Sequence, residues 1–351
     1  MNSETLGFDE WFDERSGAML PEGQDAARVM TVDRGAFTVR SERGETVAEL
    51  SGRFRFGADS SPDLPCVGDW VCVEQASPTL AIIHAVLPRK TFLRRKRPGK
   101  TVAYQVIAAN VDVAFIVQSC HYDFNVPRLD RYLVMAREGH IEPIVLLSKT
   151  DLVSQEALDD LVDRIRGAGI SAALIPISNT TGRGLDAFRD LLVPGKTFCL
   201  LGSSGVGKTT LLNRIIGHDA FSTQPVSATG EGVHTTSRRQ LHLLDNGAML
   251  IDTPGMRELG LLGTSDGLDD SFADIDDLSR DCRFADCTHS NEPGCNVLIA
   301  LSDGTLNKAR YESYLKLRKE TDFHDLSYVQ KRKKDKNFGR FIKSVKKQGR
   351  R

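Results

Sequence analysis

The stretch Gly202-Ser203-Ser204-Gly205-Val206-Gly207-Lys208-Thr209-Thr210 constrains this 351-residue chain more than any other feature. It matches G-x-x-x-x-G-K-[ST], follows the apolar run TFCLL and precedes LLNRIIG, which has helical spacing. Strand, glycine loop and helix in that order is the setting in which the pattern binds phosphate. The glycines let backbone N–H groups converge on phosphate oxygens, and the helix N-terminus adds a favourable field. Lys208 is expected to reach the β- and γ-phosphates, and the Thr209 hydroxyl to ligate Mg²⁺. The alternative, a glycine-rich strand–helix turn with no ligand, fits this flanking context less well.

Two further elements have the chemistry of a nucleotide site. Asp252-Thr253-Pro254-Gly255 closes the strand AMLID. A carboxylate at the C-terminal edge of a buried strand can hold Mg²⁺, commonly through water, and the Gly255 N–H can bond a γ-phosphate. Alone, DTPG is also a plausible β-turn. Ser148-Lys149-Thr150-Asp151 closes the strand IVLL. An ionised Asp offers two acceptor oxygens, which match the adjacent N1–H and N2–H₂ donors of guanine and not the edge of adenine. The Lys149 stem can lie across the base. The competing reading is a capping turn with Asp151 at a helix N-terminus. Ile177-Ser178-Asn179 ends the next strand and could touch the same base.

Around these motifs the chain changes rhythm. VDVAFIVQSC and EPIVLLSKTD read as strands of a buried parallel sheet, with helices over 155–167 and 184–192. Upstream, RVMTVDRGAFTVRS, ETVAELSG, DWVCVEQ and LAIIHAVL read as about five short strands of a small barrel or sandwich. An oligonucleotide-binding (OB) barrel and an SH3-like barrel fit this pattern almost equally. RKTFLRRKRPGK, residues 89–100, is either a hinge or a phosphate-contacting linker. Residues 1–25 carry seven acidic groups and one Arg and read as a flexible extension. Residues 331–351 hold 11 Lys/Arg against one Asp, which leaves 35 basic and 46 acidic groups on the rest. Such a basic tail on an acidic body is expected to seek polyphosphate. No apolar run reaches the ~18 residues that span a bilayer, so no membrane role is expected.

Cys282-x4-Cys287-x-His289-x5-Cys295 gathers three of the seven cysteines and a histidine. Four soft ligands suit tetrahedral Zn²⁺ and leave no position open for substrate, so the expected role is structural. Cys66, Cys72, Cys120 and Cys199 lie in apolar strand contexts and read as core residues. This usage suits a reducing cytoplasm rather than a disulfide scaffold.

The order of the motifs resembles the circularly permuted GTPases, and among them the ribosome small-subunit-dependent GTPases, bacterial assembly factors. In ordinary GTPases the phosphate loop comes first. Here SKTD at 148 and ISN at 177 precede it, while HTT at 234–236 and DTPG at 252 follow it. A closed domain can be cut at a surface loop and rejoined without altering its site. The resemblance covers roughly residues 26–330 and implies a multidomain α/β protein. Its parts are an OB-like β-barrel (26–92), a circularly permuted P-loop GTPase domain (93–265) and a C-terminal helical zinc-binding domain (266–330). The acidic extension and basic tail flank them.

The same resemblance implies slow GTP hydrolysis, stimulated by the small (30S) ribosomal subunit, during late maturation of that subunit through 16S rRNA binding. The protein is expected to be a cytoplasmic monomer. GTP or GDP would be held by Ser148–Asp151, Ser178, Asn179, Gly202 through Thr210, Asp252 and Gly255. Thr209, Asp252 and Thr235 or Thr236 would surround Mg²⁺. Met256 stands where many GTPases place a water-orienting Gln, and the resemblance points instead to His234. Cys282, Cys287, His289 and Cys295 would hold zinc. Ser148 departs from the usual Asn or Thr, and Asn179 from the usual Ala. Two rivals remain from the residues alone: a P-loop ATPase or nucleotide kinase, and a non-catalytic RNA-binding module.

Overall fold

The computed structural model describes residues 3–33, 36–57, 63–96, 104–217, 239–252 and 265–325. The first helix, α1 (Glu10–Ser16), precedes five strands: β1 (Asp25–Asp33), β2 (Ala36–Ser41), β3 (Gly44–Leu50), β4 (Trp70–Ser77) and β5 (Leu80–Val86). Helix α2 (Gly52–Gly57) lies between β3 and β4. The strands close into a ring, because β1 pairs antiparallel with both β2 and β4, β2 with β3, and β4 with β5. The remaining seam, β3 to β5, is parallel. This closed order gives an OB-like barrel and resolves the choice that the alternation pattern left open. Ala27, Val29, Val39, Ala48, Val71 and Ile83 fill its interior.

Strand β1 is buried on both faces, which explains why ARVMT does not alternate cleanly. Ala27 and Val29 point into the barrel, while Met30 joins the core of the next unit. The basic run at 89–100 is not a plain hinge over its described part. It forms β6 (Phe92–Lys96), which pairs with β7 (Tyr104–Ala109), and Arg89, Lys90 and Arg94 pair with Asp69, Asp9 and Glu138.

The second unit is an α/β sheet. Its strands are β8 (Val113–Ser119), β9 (Glu142–Ser148), β10 (Ala173–Pro176), β11 (Thr197–Leu201), β12 (Gln240–Leu243) and β13 (Met249–Asp252). They lie in the order β10-β9-β8-β11-β13-β12, parallel except for the β12–β13 pair. A single pairing, Thr31 to Gln240, continues the sheet into the barrel. Helices α3 (Val126–Glu138), α4 (Gln155–Gly167), α5 (Leu185–Asp190) and α6 (Lys208–Ile216) cover the faces. Double coverage makes the strands near-continuously apolar: Ala114 and Ile116 face one core, Phe115 and Val117 the other.

The last unit is helical: α7 (Ser265–Ser271), α8 (Ala273–Arg280), α9 (Asn296–Ser302) and α10 (Lys308–Asp325). Its buried residues Phe272, Ile275, Val297, Tyr314 and Leu317 belong to the same core as α3. Asp130 of α3 accepts a 2.6 Å hydrogen bond from Ser313, and Arg310 lies over Phe272 while forming a two-pronged ion pair with Asp274. The basic tail lies outside the described residues.

The N-terminal extension departs from expectation. Acidic composition suggested flexibility, but Leu6, Phe8 and Phe12 are buried and the two phenyl rings pack on Trp70. Three aromatics supply enough apolar area to order a short polar segment. Arg28, 1% exposed, fastens this layer. Its guanidinium donates to the carbonyls of Leu6, Gly68 (3.2 Å) and Asn110 (2.9 Å) and to Thr197 Oγ1 (2.9 Å), and stacks over Trp70. One side chain thus joins the extension, the barrel and the α/β sheet. Burial lowers its pKa to about 10, against the pull of Asp112, Asp69 and Asp9. Arg28→Met leaves those acceptors without a donor and should cost about 3 kcal/mol. Both tryptophans, Trp11 and Trp70, sit at this junction, so a lower urea midpoint in tryptophan fluorescence checks it.

Candidate active site

The glycine loop emerges from β11, whose five residues are all buried, and runs into α6. Gly202 has φ 143°, and a Cβ there would lie 2.4 Å from the Val117 carbonyl oxygen, so the close approach of loop and β8 requires glycine. Lys208 Nζ donates to the carbonyls of Gly202 (2.7 Å) and Ser203 (2.6 Å), which holds the ammonium over the loop. Thr209 is half-buried and Thr210 exposed on the first turn of α6. Asp252, buried at the end of β13, reaches the same edge, since β13 runs parallel to β11 with Ile251 beside Cys199.

The base-reading tetrapeptide closes β9, two strands away. Ser148, 1% exposed, donates its hydroxyl to the Val206 carbonyl at 2.7 Å. The side chain at the departure from Asn or Thr therefore ties the strand end to the phosphate loop. Lys149 adopts φ 62°, a left-handed turn that sends the chain across the sheet edge. Thr150 Oγ1 donates to the Ile177 carbonyl at 3.1 Å. Asp151 is exposed, and its Oδ1 accepts from the fully buried Ser178 hydroxyl at 2.6 Å. Ser178 Oγ in turn accepts the N–H groups of Thr180 and Thr181. Asn179 Nδ2 donates to the Gly207 carbonyl at 3.0 Å. Residues 148–151, 178–179 and 202–210 thus form one cluster at the carboxyl edge of the sheet, although 23 residues separate Asn179 from Gly202 and 27 separate Ser178 from Asp151. His234, Thr235, Thr236 and Gly255 lie outside the described residues.

Sequence patterns gave no sign of a further contact. The Ser203 hydroxyl donates to Asp123, from the loop between β8 and α3. Asp123 belongs to no motif, and the spacing of 80 residues hides the pairing.

The Cys/His cluster also assembles. Cys282, Cys287, His289 and Cys295 place one ligand atom each within 4.8 Å of one another. Cys282 Sγ lies 3.8 Å from Cys295 Sγ and 3.7 Å from His289 Nδ1, and Cys295 Sγ lies 3.5 Å from the same nitrogen. A tetrahedron with metal–sulfur bonds of ~2.3 Å has edges of about 3.8 Å, so the donors fit such an ion. Burial raises the Cys282 thiol pKa, but N–H groups of Val297 and Asn296 at the start of α9, together with hydrogen bonds from Cys295 and Cys287, hold it below the ordinary thiol value. Tyr311 donates to the His289 carbonyl at 2.7 Å and fixes the turn, where His289 has φ 57°. The other four cysteines are buried core residues, and burial pushes Cys199 up to about 12.

A model of the family described as RsgA GTPase matches residues 86–262. The chain belongs to the RsgA GTPase family. A relative from Opitutus terrae, named small ribosomal subunit biogenesis GTPase RsgA, is 41% identical over 334 residues, covering 91% of this chain and 90% of its own. One from Listeria innocua, RsgA 1, is 41% identical over 325 residues (92% and 90%), and one from Vibrio vulnificus, RsgA 2, is 34% identical over 341 residues (97% and 94%). Among solved structures, YjeQ from Thermotoga maritima superposes with a TM-score of 0.64 at 27% identity, covering 85% of this chain and 98% of its own. YloQ, described as a circularly permuted GTPase, gives 0.60 at 26% identity, with 88% and 98% coverage. The chain is accordingly a circularly permuted GTPase with an OB-like barrel and a C-terminal Cys/His cluster. The ATPase, kinase and non-catalytic readings fall away.

Proposed function

We propose that this GTPase assists late maturation of the small ribosomal subunit, binding its 16S rRNA and hydrolysing GTP slowly until the subunit stimulates it. The observation that carries the nucleotide assignment is the pair of bonds from Ser148 and Asn179 to successive phosphate-loop carbonyls, Val206 and Gly207. They hold the base-reading strand ends at a fixed offset from the phosphate cradle, as one guanosine triphosphate requires. The relatives' printed names supply the ribosomal partner.

In this reading Asp151 selects guanine, Lys149 lies along the base, and Ser178 orients the carboxylate. Loop amides and Lys208 hold the phosphates. Thr209 and Asp252 hold Mg²⁺, with Thr235 or Thr236 completing the shell, and Gly255 bonds the γ-phosphate. The ion held there would supply neutralising charge for phosphoryl transfer. Met256 carries a thioether, which cannot orient water, so intrinsic turnover is slow and His234 positions the nucleophile in the subunit-stimulated reaction. The barrel (26–92), GTPase domain (93–265), zinc-binding domain (266–330) and basic tail (331–351) act together as a cytoplasmic monomer. Among the described residues no helix is long and apolar enough to cross a membrane.

The testing experiment is GTP turnover with and without purified small subunits. Stimulation of at least about tenfold is expected, lost in His234→Ala with GTP affinity retained. Equal turnover in both conditions would contradict the reading. Elemental analysis should find one zinc per chain. Cys287→Ser should lose it and unfold at lower temperature, because the loop between α8 and α9 has little core of its own.

A further inference from the structure

The loop between β8 and α3 places a carboxylate against the phosphate loop. Asp123 Oδ2 accepts the hydroxyl of Ser203, and its Oδ1 lies 2.7 Å from the guanidinium of Arg128 on the first turn of α3. The same guanidinium donates to the Asp123 carbonyl, which also accepts Gln118 Nε2 at 2.6 Å. Gln118 is a buried residue of β8. Asn125 Oδ1 caps α3 by accepting the Arg128 N–H at 2.9 Å, which holds Arg128 in place. Ser203 is held through its backbone as well: its carbonyl is one of two that receive Lys208.

A carboxylate at this position is chemically unexpected, because a bare negative charge beside a triphosphate site opposes the ligand. Its pairing with Arg128 removes that objection and leaves a nearly neutral, rigid tether. Contacts on both oxygens and on the backbone carbonyl leave Asp123 little freedom. We propose that Asp123 is a positioning residue for the GTPase, which pre-forms the phosphate loop by anchoring Ser203, with Arg128 cancelling its charge. The inference rests on the assignment of residues 202–210 to the nucleotide phosphates.

A preformed loop favours GDP and GTP alike, since it acts before the γ-phosphate is engaged. Losing the tether should therefore weaken ground-state binding rather than the chemical step. Asp123→Ala is expected to raise Kd for both nucleotides and KM for GTP about tenfold, the scale of a charge-assisted hydrogen bond, while kcat changes less than about twofold. Ser203→Ala should give the same loss of affinity, and the double variant should be no worse than either single one, because both remove one contact. Asp123→Asn keeps an acceptor for Ser203 and should stay within about threefold of the parent. Arg128→Met uncovers the carboxylate and should weaken GTP binding by an amount that shrinks as salt is raised.

The experiment is titration of the full-length protein with fluorescent GDP and GTP analogues, alongside steady-state hydrolysis. Parent-like affinity in Ser203→Ala, a one-oxygen deletion that leaves the fold intact, would overturn the tether. So would multiplicative losses in the double variant. A parent protein that binds neither nucleotide would instead overturn the assignment of the loop.

Discussion

Two backbone carbonyls, those of Val206 and Gly207, are the joints on which the rest of this structure depends. They belong to the phosphate loop, yet their donors come from Ser148 and Asn179 on two other strand ends. A hydrogen bond of this kind contributes only about 1 kcal/mol net. Its value here is geometric, because it fixes the separation between a carboxylate that can read a base and a lysine that can hold a phosphate. Chain order is irrelevant to that separation, so a permuted GTPase keeps its site.

The joints work because the surrounding parts are not independent. Arg28 connects extension, barrel and sheet through carbonyls and one hydroxyl. Helix α3 is shared between the second and third units: its first turn holds Asp123 against the phosphate loop, and Asp130 and Arg131 pair with Ser313 and Glu320 of α10. Burial raises the Asp130 carboxyl, while Ser313 and Arg310 oppose the shift. The Cys/His cluster closes the far side of that helical layer, with Arg318 donating to the Cys287 carbonyl. Helices α3 and α10 thus carry contacts to the phosphate loop at one end of this set and to the cluster at the other.

Much of this was legible in the residues. The glycine loop, SKTD and the Cys/His spacing are local patterns whose chemistry is set by residue type, and the parallel strands betray themselves by apolar runs. The closed barrel order was not legible, because β3 pairs with β5 in parallel and alternation says nothing of partner choice. The order of residues 3–20 was not legible either, since acidic composition masks two phenyl anchors, Phe8 and Phe12, that find Trp70 only in the folded chain. Arg28 looks like any strand arginine until its carbonyl acceptors converge. Asp123 carries no motif, and the departure at Asn179 gains its meaning only where its amide meets the Gly207 carbonyl. In each case the missing information was a long-range partner that offers a backbone carbonyl or a single hydroxyl, neither of which leaves a pattern.

The central claim is that Asp151 and Lys208 address opposite ends of one guanosine triphosphate. Competitive binding of GTP, ATP and XTP to the parent and to Asp151→Asn tests it most directly. Xanthine carries a C2 carbonyl where guanine carries an amino group, so an amide can donate to it and a carboxylate cannot. The account predicts a parent that prefers GTP and a variant whose preference moves to XTP, with Lys208→Ala abolishing binding of both. A variant that ranks the three nucleotides as the parent does would contradict it.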